Sequence, residues 1–317
     1  MSVSGARRIF IQAAGGIGPS ADLNLDYFGH AASPLHGEAA PVSLRSLIKP
    51  LALPNLRVAS RFSELAVIGA ARCLQHVADL PRLSTAARVY LGTGLGEIVR
   101  TDALYAQVMP PSAETASPLQ FVSSGNNMAA FFVAQCAGLQ SRNFTVSQGD
   151  LSFEAALSLA VGDLNAGACA EAIVGGVDEC TTPRPMYWQR LALDPTQAVG
   201  EGSGWLRLAI TGENAIGELL GVYTIAEDAL AKATQNYRAD LLLRGGRVDP
   251  EHAAHLAVQC GATELCEYTR YIGPYPTAAA LGVAAMFTHR HDRALTALHA
   301  NLDGDGRAGL IALRVFA

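Results

Sequence analysis

Charge is scarce in this sequence. Lys, Arg, Asp and Glu make up only 16% of 317 residues, with a formal balance of -5. The basic residues fall singly or in short pairs such as Arg7-Arg8. Without a Lys/Arg run, neither nucleic acid nor an anionic membrane is the expected main partner. Cysteine is sparse and unpatterned: Cys73, Cys136, Cys169, Cys180, Cys260 and Cys266 form no C-x-x-C pair. Buried reduced thiols are expected, because free Cys behaves as a small core residue. No cofactor and no metal are expected. Unbroken apolar text is also missing. The longest such stretch, Ala155 to Val177, is interrupted by Asp163, Asn165 and Glu171, so no membrane span is expected. Met1 to Arg8 runs straight into an apolar strand and then glycines, with no signal-like segment. The expected location is the cytoplasm.

What is present is apolar residue in bulk. Half of the chain is hydrophobic, enough for a large core in two domains or one double-lobed unit. Arg8 to Ala14 reads as a buried strand ending at Gly15-Gly16, and Arg57 to Val77 as a helix. Arg88 to Leu91 is a short strand closed by Gly92-Thr-Gly-Leu-Gly96. That spacing is G-x-G-x-G and no P-loop Lys follows, so it is not expected to hold phosphate. A Pro-rich loop around Pro110, Pro111 and Pro118 leads into an apolar helix, Ser123 to Leu139. A strand at Phe144 to Ser147, a helix at Ser152 to Ala166 and a strand at Ala170 to Val174 follow. Gly200 to Gly204 turns into a strand at Trp205 to Ile210, and Glu218 to Ala226 is another. Beyond these the text supports one helix over Glu251 to Tyr268, a small-residue helix at Thr277 to Phe287, and a last strand at Leu310 to Phe316. Alternating strands and helices call for an α/β fold with a mixed sheet covered on both faces. The expected lobes are 1–216 and a shortened 217–317.

The order of these landmarks resembles the β-ketoacyl synthases almost from end to end. The carriers are Gly15-Gly16, the Gly92 to Gly96 turn, Pro118 to Phe121 leading into Asn126-Asn127, Ala172 to Glu179 (AIVGGVDE) and Gly200 to Leu208 (GEGSGWLRL). The resemblance implies a thiolase-like, layered α/β/α/β/α sandwich with a shortened second half. In catalytic members a Thr-Ala-Cys-type turn places a cysteine at a helix N-terminus, where the dipole and backbone N–H groups lower its pKa. Matching without gaps puts Asp150 at that position, and none of the six cysteines lies beside it. An acyl-aspartyl anhydride is a poor stand-in for a thioester. Asp150 and Ser152 suit a helix cap, with nucleophilic chemistry on Ser152 as the alternative.

The family's first histidine loop, His-Gly-Thr-Gly-Thr, has no counterpart. Leu243 to His252 stands in its place, and His252 and His255 read as exposed helix residues. Pro274 replaces the second histidine, and proline can start a helix but donates no proton. The Gly-Phe-Gly-Gly loop is matched by Asn301 to Gly306, with Asp305 in place of the gating aromatic.

The resemblance is nearest to short chain-length-factor-like homologues of bacterial aryl-polyene and polyketide systems. It implies a non-catalytic subunit that pairs with an active ketosynthase, meets an acyl carrier protein and shapes the acyl tunnel. Asn126, Asn127, Met128, Phe131 and Phe132 would lie at the interface or tunnel, or are core residues. The alternatives are an acyltransferase or hydrolase with a non-Cys nucleophile, though no G-x-S-x-G elbow is present, and an acyl-binding homodimer.

Overall fold

The computed structural model describes residues 7–19, 44–48, 56, 59–75, 82–109, 115, 117–180, 199–288 and 291–317. Pro110 and Pro111 lie outside these residues. Ten strands form one mixed sheet in the order β3-β2-β4-β5-β1-β6-β10-β9-β7-β8. In the first half they are β1 (Ile9–Ile17), β2 (Arg88–Gly92), β3 (Asn143–Val146), β4 (Glu171–Asp178) and β5 (Gly202–Ala209). In the second half they are β6 (Gly217–Ala226), β7 (Leu241–Arg244), β8 (Glu264–Cys266), β9 (Leu295–Leu302) and β10 (Arg307–Val315).

The second half repeats the first. Each half has three parallel strands, then an antiparallel strand, then the half's own first strand. The halves join through one short antiparallel contact, Ile9↔Leu219 to Ile11↔Gly217.

The strands alternate between two buried faces, as the period of two requires. On β10, Ala308, Leu310 and Ala312 face one core while Ile311, Leu313 and Val315 face another. On β4, Ala172 and Val174 face the central core while Ile173 and Val177 face a third. Helices fill the layers. The one-turn α1 (Arg45–Ile48) touches α2 (Arg61–Gln75), and α2 packs with α5 (Met128–Cys136) under the first half. The helices α3 (Ile98–Val108) and α4 (Pro118–Ser123) lie beside them. The second half is covered by α7 (Leu230–Thr234) and α8 (Pro250–Cys260). Between the halves run α6 (Ser152–Asn165) and α10 (Ala278–Thr288), the latter following the single turn α9 (Thr269–Ile272). Residues Ala278 through Phe287 are all buried, as a helix apolar on every side must be. This is the layered, thiolase-like α/β architecture expected from the sequence.

Several boundaries differ from expectation. β1 and β4 run through Gly15-Gly16 and Gly175-Gly176 instead of ending there. These glycines admit close neighbours: a Cβ on Gly15 would lie 2.8 Å from the Cys73 backbone of α2. The helix expected from Ser123 starts at Met128, with α4 as a separate element whose N-cap is Ser117. The helix expected to reach Tyr268 stops at Gly261, φ 72°, a left-handed C-cap suited to glycine. The second half also holds β7, β8 and β9, which the sequence reading left out.

Gly204 fixes how close α10 lies to β5. A Cβ there would sit 2.3 Å from Ala280 and Leu281 backbone atoms. Gly204→Ala is expected to destabilise the fold by about 3 kcal/mol or more, because backbone cannot yield as a side chain can. Gly162 in α6 has open space around it, and Gly162→Ala should add about 0.5–1 kcal/mol. Urea midpoints of the two variants measure both effects.

Candidate functional site

The site is assembled at the C-terminal ends of β2 and β4. Asp178, the last residue of β4, is fully buried. Its carboxylate accepts hydrogen bonds from Thr93 Oγ1 (2.8 Å), the backbone N–H of Gly94 (3.1 Å) and Leu95 (2.8 Å), and the N–H (3.1 Å) and Oγ1 (2.8 Å) of Thr277. Burial pushes its pKa up and these bonds oppose the shift. The Gly94 and Leu95 N–H groups of the Gly92 to Gly96 turn are thus spent on an internal carboxylate, and the Gly96 N–H on Thr93 Oγ1. The same carboxylate ties that turn to the start of α10.

Gly149, φ 53°, makes the turn that enters α6, a conformation that favours glycine. Ser152 Oγ accepts from the Gln148 N–H (2.8 Å) and lies 2.7 Å from the Gly149 carbonyl and 3.0 Å from the Thr93 carbonyl. Every one of these contacts is with backbone, and Ser152 is buried. Neither Asp150 nor Ser152 caps α6 as expected: the N-cap residue is Leu151, with no side-chain cap bond. The preceding turn is a 3-10 turn, Gly149–Leu151, which Ser152 closes from inside the helix.

Asp150 has a different engagement. Its carboxylate forms an ion pair with Arg247 Nε, and its backbone carbonyl accepts from Asn301 Nδ2 at 2.9 Å. Burial pushes the Asp150 pKa up, Arg247 pulls it down, and Asp303 and Asp305 push it up again. Arg247 comes from the Leu243 to His252 segment, where the family's first histidine loop would be. Asp150, Arg247, Pro274, Tyr268, Tyr275 and Asn301 line one cleft of about 30 Å³, room for a few waters and no more. The chain therefore brings Asp150, Pro274, Asn301 and a residue of the Leu243 to His252 segment, which the resemblance matches to the family's catalytic parts, around one small cleft.

Behind the cleft wall lie groups that the sequence did not flag. Glu154 of α6 and His299 of β9 are fully buried, with His299 Nδ1 3.8 Å from Glu154 Oε1. His299 Nε2 is 2.9 Å from the Tyr268 hydroxyl, and Asn301 Nδ2 donates to Glu154 Oε1 at 3.1 Å. Burial raises the Glu154 pKa to about 7 and lowers that of His299 to about 3. A glutamate inside an otherwise apolar helix text, and a histidine inside LTALHANL, were the available signals.

The remaining expected residues lie elsewhere. Asp305 is exposed, in a turn where Asp303 Oδ1 accepts from the N–H groups of Asp305 and Arg307, both at 2.9 Å. Asn126 accepts from the Glu97 N–H at 3.0 Å, and Asn127 is exposed. Met128 is half-buried, Phe132 packs in the core under the first half, and Phe131 is exposed. His252 is half-buried and His255 exposed, both on α8. All six cysteines are free thiols. Among the described residues, no cluster of His, Cys, Asp or Glu could hold a metal ion, and no helix is long and apolar enough to cross a membrane.

Removing Arg247 leaves Asp150 buried without its cation. A carboxyl whose pKa burial has raised adds stability where it is protonated and loses it as pH rises through the folded pKa. Arg247→Ala should therefore cost about 1–3 kcal/mol at pH 7 and less at pH 4. Denaturation at the two pH values measures this, and an equal deficit at both would assign the loss to packing instead of charge.

Residues 51–192 match the profile of the β-ketoacyl synthase N-terminal domain. A comparison with curated protein sequences finds no match. Among solved structures, this chain is similar to one described as the ishigamide ketosynthase/chain length factor. The TM-score is 0.79 at 16% identity, covering 98% of this chain and 100% of that one. A second, with TM-score 0.78 at 11% identity and the same coverage, is described as AntDE:AntF, a type II PKS acyl-carrier protein in complex with its ketosynthase bound to the hexaketide. A third is a β-ketoacyl synthase from Burkholderia phymatum STM815, with TM-score 0.73 at 14% identity over 98% of this chain and 100% of that one. The chain is thus β-ketoacyl synthase-like: it has the thiolase-type ketosynthase fold, and residues 51–192 match that family's N-terminal domain.

Proposed function

We propose that this chain is a non-catalytic, chain-length-factor-like subunit that pairs with an active β-ketoacyl carrier-protein synthase. The elongation it serves is of the polyketide, aryl-polyene or fatty-acid-like kind. The observation that carries this reading is the state of the nucleophile turn. Asp150 stands where a cysteine would be, and its carboxylate is held by Arg247 in a cleft of about 30 Å³. A carboxylate already committed to a guanidinium is a poor nucleophile. Ser152, the fallback nucleophile, has a hydroxyl committed to the turn's own backbone. In the proposed pair the partner's cysteine receives the acyl group from an acyl carrier protein, and this chain supplies the other wall.

The surface supports an obligate partner. α3 and α4 expose a set of large apolar side chains, among them Phe121 at 66%, Tyr105 at 62%, and Leu119 and Val122 at 59% each. Arg100 donates from α3 to Ser123 Oγ of α4 (3.2 Å), and the Ser117 N–H donates to Gln107 (3.2 Å), so the two helices present one surface. Phe131 of α5 adds to it at 44% exposure. Apolar patches of this kind mark protein interfaces. β3, which leads to the Asp150 turn, is the end strand of the sheet.

The lone chain should self-associate at micromolar concentration in light scattering. Phe121→Asp with Val122→Asp should make it monodisperse and weaken partner binding at least about 10-fold, roughly the loss of one or two buried apolar anchors. A monodisperse wild-type monomer would contradict the partner reading.

Condensation is tested with acyl and malonyl carrier proteins, using this chain alone and co-purified with a cysteine-bearing ketosynthase. Activity is expected only in the pair, lost on mutating the partner's cysteine and retained in Asp150→Ala and Ser152→Ala. Turnover by the lone chain that disappears in either variant would mean that the fold carries its own nucleophile.

A further inference from the structure

The ion pair at the cleft mouth leaves one buried group without a use, the carboxyl of Glu154. Its Oε2 has no hydrogen-bond partner, and neither has His299 Nδ1, although both residues are fully buried. The space for this side chain is built into β10: a Cβ on Gly309 would lie 2.8 Å from Glu154 Cγ. Asn301 joins this interior group to the cleft, because its Nδ2 donates both to Glu154 Oε1 (3.1 Å) and to the Asp150 carbonyl (2.9 Å).

We propose that Glu154 and the Asn301 strap form a proton-operated lock on the Asp150 turn, in which lifting of the α6 start is coupled to release of one proton from Glu154. Such a lock rests on the burial of Glu154 and on the Asn301 bridge, and is independent of whether a second subunit binds.

The charges around Glu154 give the lock its sign. On its own element and the turn before it, the nearest ionisable group is Asp150, which disfavours a second negative charge. From β9 come His299, neutral at 3.8 Å, and the amide of Asn301. From β10 comes Gly309, with no side chain. From the segment before α9 comes Tyr268, whose pKa is raised by burial first and then by Glu154. Arg88 and Tyr90 of β2 are engaged with Asp163, near the far end of α6, and Glu218 of β6 with Arg8. Arg247 is paired with Asp150, not Glu154. In the closed state the carboxyl therefore holds its proton up to about pH 7.

Once the α6 start lifts and water reaches Glu154, the carboxyl returns to the ordinary range near 4.3. A group whose pKa is raised in the closed state stabilises that state fully at acid pH and progressively less as pH rises toward and through 7. The opening equilibrium should then grow about 30-fold between pH 5.5 and 8.5.

Amide hydrogen exchange on the full chain tests this from pH 5.5 to 8.5, corrected for intrinsic exchange. Amides of the first turn of α6 and of β9 should lose protection with rising pH by about 30-fold in the wild type. Glu154→Gln keeps an acceptor for Asn301 and cannot ionise, so its protection should be flat within about 3-fold. Amides of α2 serve as the reference and should not follow the trend. A pH slope in Glu154→Gln equal to the wild type's, no slope in the wild type, or the same slope in α2 would each overturn the lock. Should Glu154→Gln fail to fold, ¹⁵N spectra of wild-type His299 decide the matter. A neutral ring throughout the range is expected, and an imidazolium at pH 6 would place the proton on His299 and remove Glu154 from the device.

Discussion

The structure depends on two helices, α6 and α10, enclosed between the halves of one sheet. Where such a helix is buried, a polar group left unanswered forfeits its hydration, so most of its polar groups are answered within the chain. The glycines follow from this. Gly92, Gly176 and Gly204 face backbone or Cβ atoms of α6 and α10 at distances no larger side chain would tolerate. Asp178 follows from it too. It is the carboxylate at the meeting point of β4, the Gly92 to Gly96 turn and α10, and it accepts from all of them. Sheet spacing, helix composition and the polar hub are consequences of one packing demand.

The same demand acts on the cleft. A carboxylate placed at a helix start inside the sandwich has favourable helix-end electrostatics but loses hydration. Arg247 offsets that loss from a position 97 residues away. The Asn301 strap holds the turn from behind, and Asp303 closes the following loop on itself through its own backbone neighbours. Within the cleft, Asp150 is answered by Arg247 and by Asn301.

Much of the fold was legible, since the apolar strands, the small-residue helix and the glycine landmarks fall in an order that fixes the architecture. What escaped was set by contacts distant in sequence. Leu241 to Arg244 and Glu264 to Cys266 are runs too short to declare a period, and they become β7 and β8 only beside β9. Glycines read as strand ends proved to be strand interiors, because the reason for a glycine was the neighbouring backbone rather than a turn. Asp150 was singled out by the resemblance, while its partner Arg247 was not, because nothing local links them. Glu154 and His299 were each visible as a polar intruder in apolar text. Their proximity follows from the turn before α6 packing on β9, which no periodicity reports.

The cleft and the outer surface differ in where their requirements are met. Around Asp150 the chain answers its own polar groups with Arg247, Asn301 and the backbone, and it leaves little volume for anything else. On α3 and α4 it leaves Tyr105, Leu119, Phe121 and Val122 in contact with water, at a cost in hydration free energy that folding alone does not remove. A site that had merely lost its cysteine would present an emptied pocket and an unpaired charge. Here the charge is paired and the pocket filled, while the apolar demand has moved to the surface. That distribution is what a subunit should have if its chemistry is supplied by another chain and its own stability is completed by binding it.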